Sequence, residues 1–198
     1  MARQGLISIL SLALFIYGLT KCVTQPLPPH LIQGGHFQFL TNVLLALTIL
    51  YVLQTILTPT SRHLRTQHNV VASLEFTVTV TYWTLFFLVP SWLNPADEWG
   101  RDWMLDVAIH LWPFVYLVVF DNQDRIPPKK AWGLTGAVIV VYWCYLERVV
   151  SVNAGDGVTR FAYPFLNDRT LTQRFGWMVL IWVVSCLNYY VIGLRNML

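Results

Sequence analysis

An all-α polytopic membrane protein, with six transmembrane helices in one bundle, is the fold class this sequence predicts, and three observations predict it. Of the 198 residues, 56% are hydrophobic and only 12% are charged, where an average soluble domain carries roughly 25% charged residues. Six apolar runs follow one another, each approaching the ~20 residues a helix needs to cross a bilayer. The segments between them are mostly short and rich in turn residues, as in Pro26-Leu27-Pro28-Pro29, Thr58-Pro59-Thr60-Ser61, Asn94-Pro95 and Ile126-Pro127-Pro128. A single domain over residues 1–198 is therefore expected.

The first run, residues 6–20, has the length of a secretory signal core but no small-x-small cleavage site before Lys21, which predicts a retained helix. The second, residues 37–57, follows the Gly34-Gly35 turn and brings Thr41 and Asn42 into the hydrocarbon behind an aromatic pair, Phe37 and Phe39. The third, residues 70–92, carries Glu75 near its start, read as interfacial, and Thr77, Thr81 and Thr84 on a face read as packing. The fourth, residues 104–120, holds Asp106, His110 and Pro113; the fifth, residues 131–150, closes with Glu147 and Arg148. Before the sixth, residues 175–194, lies the longest loop, whose Tyr163-Pro164-Phe165-Leu166 predicts a re-entrant or interfacial cover.

Trp92, Trp99, Trp103 and Trp132 sit at run ends, where interface anchors belong. Five cations, Arg62, Arg65, Arg125, Lys129 and Lys130, fall in the second and fourth loops, against Lys21 and Arg101 in the first and third. This places both termini in the cytoplasm. A multi-pass protein of the endoplasmic reticulum or plasma membrane is expected, with membrane lipids as its surroundings.

Several function classes drop out. The net charge of +3 includes no basic block, so nucleic acid is not a partner. Cys22, Cys144 and Cys186 have the spacing of neither a disulfide framework nor a zinc knuckle. Of the five histidines only His110 lies well inside an apolar run, whereas a membrane metalloenzyme needs about three. No metal is expected, and with no phosphate-binding loop or dinucleotide fingerprint, no cofactor either.

What remains is a pair at one depth. Thr41 lies four residues into the second run and His110 six into the fourth; these runs share a direction, so the two sit about 6 and 9 Å below the same face. Asp106, four residues before His110, shares its helix face and can hold one ring nitrogen protonated. Pro113 cannot donate to the carbonyl of Ile109, which predicts a kink beside the histidine. A threonine hydroxyl attacks an ester only with a base in reach, and a neutral imidazole is the usual one. Asn42 is a candidate for oxyanion or substrate binding, and Arg148 for a substrate carboxylate. Against this stands a packing role for Thr41, since Thr41, Thr48 and Thr55 recur at heptad spacing. An intramembrane histidine with a carboxylate on its own face favours function.

In order, Gly34-Gly35, Phe39-Leu40-Thr41, His110 with Pro113-Phe114, and Tyr163-Pro164-Phe165-Leu166 give the chain a likeness over nearly its whole length. It resembles the androgen-induced and androgen-dependent TFPI-regulating protein family. The resemblance implies a six-helix membrane hydrolase that cleaves fatty acid esters of hydroxy fatty acids, with Thr41 and His110 in the catalytic positions. The expected partner is then a lipid substrate with long acyl chains. The other reading is a lipid carrier or regulatory scaffold, in which His110 and Asp106 line a polar cavity without chemistry.

Overall fold

The computed structural model describes residues 2–93, 102–121 and 123–195, with side chains from residue 5 to residue 190. The Asn94-Pro95 turn, Trp99 and Arg101 lie outside the described residues. Helices α1 (Ala2–Thr24), α2 (Leu40–Leu57), α3 (Leu64–Leu88), α4 (Trp103–His110), α5 (Trp112–Val115), α6 (Pro128–Val152) and α7 (Leu171–Arg195) follow in order, and the described residues contain no strand. Helix α3 is the hub. It packs on α2, α6 and α7 and touches α4 and α5, while α1 covers α2 and α4.

Two apolar clusters make the core, and α2 is the wall between them. Leu45, Ile49 and Val52 face Phe15, Leu105, Ile109 and Tyr116 on one side. Leu40 and Leu44 face Leu74, Ile139, Tyr142 and Met178 on the other. A helix buried on opposite sides must be apolar nearly all round, as its sequence is. At the periphery the pattern inverts: Leu6, Ile9 and Leu10 of α1, Val140 and Val141 of α6, and Leu180, Val183 and Leu187 of α7 point outward and exposed. Such a belt belongs in lipid, where exposed apolar surface costs nothing.

Among the described residues four helices, α1, α2, α3 and α6, are long and apolar enough to cross a membrane; α4 with the stretch after it makes a fifth if the bent pair is one span. The sixth predicted run forms the 25-residue α7. The chain is thus an all-α membrane protein.

Most boundaries differ by a few residues from those the hydropathy pattern predicts, and those of the second, third and fourth runs bear on the site. Helix α2 begins at Leu40, not 37, because Phe39 is extended (φ −88°, ψ 118°). Helix α3 runs from Leu64 to Leu88 instead of 70–92: polar Arg65 and Gln67 hide its first turns from a hydropathy window, and Pro90 ends it by forcing Val89 out of helical geometry. His68, a loop residue by sequence, is thereby buried with Nε2 3.0 Å from the Leu117 carbonyl oxygen. The fourth run breaks at Leu111, with α4 and the stretch Trp112–Phe120 bent by 41°, and it continues through a π turn, Tyr116–Phe120. The missing donor at Pro113 accounts for the break.

A candidate hydrolytic site at the entrance to α2

The chain reaches α2 through two short 3-10 turns, Pro29–Gly34 and His36–Gln38, joined at Gly35 with φ 60°. That conformation suits glycine. Its neighbour Gly34 has no space for a side chain, since an added Cβ would overlap Gln38. The buried Gln38 in turn donates to the carbonyls of Leu31 (2.7 Å) and Gly35 (3.2 Å), so a side chain closes the loop from within.

Three tyrosines from distant elements clamp this entrance. Tyr142 of α6 donates to the Gln38 carbonyl at 2.5 Å, and Tyr145 donates to that of Gly34. Tyr163 accepts from the Leu40 N–H at 2.8 Å, serving one of the orphan donors of the helix start. Burial pushes the Tyr163 phenol above its ordinary pKa, so it stays neutral and keeps its proton. Tyr163 thus ties its loop to the first turn of α2, next to Thr41.

Thr41 lines a cavity of about 240 Å³ together with His110, Asp106, Asn42, His36 and Tyr82. Among the described residues neither its hydroxyl nor its backbone N–H has a hydrogen-bond partner. A small chamber of about 70 Å³ adjoins this cavity, and Thr41 lines both. His110, which also lines the large cavity, is the last residue of α4 and is buried. Its ring stacks on Tyr82 with centroids 3.4 Å apart and planes 7° from parallel. Nδ1 stands 3.7 Å from Asp106 Oδ1 and has no hydrogen bond. That distance is beyond a hydrogen bond but well within electrostatic reach.

The other predicted site residues divide. Asn42 lines the cavity, but its amide donates to the His36 carbonyl at 2.8 Å and so braces the loop. Arg148 does not belong to it: the residue is exposed and absent from the cavity wall. Successive helical residues diverge by 100°, and it is Glu147 that turns inward, to a two-pronged pair with Arg174 at 2.7 and 2.8 Å. Glu75 is not interfacial. It is fully buried and accepts from the Thr48 hydroxyl at 2.6 Å, tying α3 to α2. Thr77 likewise bonds Ser185 of α7 at 2.6 Å, the packing role expected of it.

Two contributors escaped the sequence reading. Tyr82 gives no signal, being one aromatic in an aromatic-rich helix end. Asp102 caps α4, accepting from the Leu105 N–H at 3.0 Å, and the aspartate just before an apolar run was its available sign. Among the described residues no group of three or more His, Cys, Asp or Glu is placed to hold a metal ion.

Comparison with known proteins agrees with the likeness seen in the motifs. The FAR-17a/AIG1-like protein family profile matches residues 4–196. The UPF0641 membrane protein YHR140W of Saccharomyces cerevisiae is 26% identical over 179 residues, covering 76% of this chain and 73% of the yeast protein. No solved structure matches significantly. With a match that spans nearly the whole sequence, site residues included, this chain belongs to the FAR-17a/AIG1-like family.

Proposed function

We propose that the protein is an intramembrane hydrolase of lipid esters, of the class of fatty acid esters of hydroxy fatty acids, with Thr41 as nucleophile and His110 as base. The observation that carries this reading is that the Thr41 hydroxyl, which has no hydrogen-bond partner among the described residues, lines one cavity with the buried His110. His110 takes the hydroxyl proton as Thr41 Oγ bonds to the ester carbonyl carbon, and returns it to the leaving alkoxide as the ester C–O bond breaks. Water then enters, gives a proton to His110, and attacks the acyl-threonine; the acid leaves and Thr41 regains its proton. Charge on the carbonyl oxygen needs a donor, and the Thr41 N–H, which has no hydrogen-bond partner among the described residues, supplies one. Asp106 favours the imidazolium that forms midway, acting through its charge.

Labelling by a fluorophosphonate probe in membranes tests this. The wild type is expected to label and to cleave a lipid ester, and Thr41→Ala and His110→Ala are each expected to lose both. A well-inserted protein that never labels and never turns over would instead be a lipid carrier.

A further inference from the structure

The small chamber beside Thr41 has no part in the proton transfers above, yet it shares Thr41, Tyr82, Leu93 and Tyr163 with the catalytic cavity. Val78, Leu85, Phe165, Met178 and Ile181 line the small chamber and not the large one. Its polar atoms are largely engaged elsewhere. The Tyr142 hydroxyl serves Gln38, the Tyr163 hydroxyl serves Leu40, and Thr77 bonds both Ser73 (3.1 Å) and Ser185. What the chamber presents to a ligand is therefore hydrocarbon. From Leu85 to Thr77 along α3 it reaches eight residues inward, roughly 12 Å. The large cavity is the opposite case, with two aspartates, two histidines and an unpaired ring nitrogen on its wall.

We propose that the small chamber is the acyl-chain arm of the site, and that Met178 and Ile181 of α7 set the length of chain it accepts. This rests on the hydrolase reading for its chemistry. An ester bound across Thr41 has an apolar acyl part, which becomes attached to Thr41 Oγ, and an alcohol part, which takes up a proton and departs. The acyl part fits the dry arm; the more polar alcohol part fits the large cavity beside His110. Reversed placement would bury a carboxylate against Val78, Leu85 and Met178, where no group can pair with it. Met178 is itself buried and unbranched, so it can yield to a chain end where a β-branched side chain could not.

The test uses the full-length protein in lipid nanodiscs with p-nitrophenyl butyrate, octanoate and palmitate. Met178→Trp is expected to lower the ratio of kcat/KM for palmitate over butyrate by about tenfold or more, and Met178→Ala to raise it, since a pocket distinguishes chains by what it can hold. Ile181→Trp is expected to follow Met178→Trp. A second measurement needs no turnover: a fatty acid with a terminal diazirine is photocrosslinked, and the labelled peptides are mapped. Crosslinks are expected in α7 and near Phe165, and fewer with Met178→Trp. Folded, active variants with unchanged chain-length ratios, or crosslinks confined to residues 22–27 and the lipid-facing surface, would overturn the assignment. Failure of the hydrolase reading looks different. The wild type would then cleave none of the three esters while the crosslinks still mapped to α7, leaving a fatty-chain site without catalysis.

Discussion

At His110 two neighbours compete to set the orientation of the ring. Tyr82 lies flat against it at 3.4 Å, while the Asp106 carboxylate stands 3.7 Å from Nδ1. A stacked ring is fixed in plane, and at 3.7 Å the Asp106 carboxylate acts on it through its charge. Asp106→Asn should therefore remove charge more than geometry, and we expect a fall in kcat of about 10²-fold with little change in KM, the low end of what acid–base groups contribute. Tyr82→Ala should cost at least as much and change KM as well, because Tyr82 also lines both chambers. A loss near that of His110→Ala on Asp106→Asn would mean that the contact tightens to a true hydrogen bond when substrate is bound. His110→Ala and Thr41→Ala combined should be no worse than either alone, as expected of groups that act as one unit.

At the scale of elements, the helices are joined by buried polar contacts where the apolar surfaces alone would allow sliding. Thr48 with Glu75 fixes α2 on α3, Thr77 with Ser185 fixes α3 on α7, and Asn188 donates to the Ala72 carbonyl at 3.2 Å one turn away. Glu75→Gln keeps an acceptor for Thr48 and should leave thermal unfolding in detergent nearly unchanged. Glu75→Ala leaves the Thr48 hydroxyl unpaired in the core and should cost about 1–3 kcal/mol. Equal destabilisation by both variants would point to the charge, not the hydrogen bond, as the tie. The loop between α6 and α7 is held differently, by water-exposed contacts: Asp156 accepts from the N–H groups of Val158 (2.7 Å) and Thr159 (2.8 Å) and from the Thr159 hydroxyl. These bonds lower its pKa below the usual carboxylate value. The stability they add is present at neutral pH and is lost only as pH falls through that depressed value. The protection of the Val158 and Thr159 amides, taken relative to the intrinsic exchange rate at each pH, should thus hold into mild acid and fall below it, whereas in Asp156→Ala it should be low throughout.

Across the whole molecule the entrance to α2 depends on segments far apart in sequence. Gly34 is pressed against Gln38, Tyr142 and Tyr145 reach in from α6, and Tyr163 closes the helix start. Gly34→Ala is expected to displace Gln38, release the two tyrosines and lower both the unfolding temperature and turnover, and Gly35→Ala is expected to lower the unfolding temperature as well, because φ 60° with ψ −167° is a conformation that essentially only glycine adopts. An unaltered Gly34→Ala variant would show that the loop has slack. The molecule as a whole follows its hydropathy. Apolar run length alone determined that this is an all-α membrane protein, and chain polarity in Pro113 determined the broken helix at His110, because a missing N–H cannot be restored by any packing. Depth arithmetic also put Thr41 and His110 near one face, since rise per residue is fixed in any helix. The azimuth of each side chain was another matter. Whether Glu75 met lipid headgroups or Thr48, whether Arg148 or Glu147 turned inward, and that Tyr82 would lie on His110 all depend on how the helices rotate against one another. Those rotations are chosen by contacts among residues as many as 123 positions apart, and only the tertiary structure decided them.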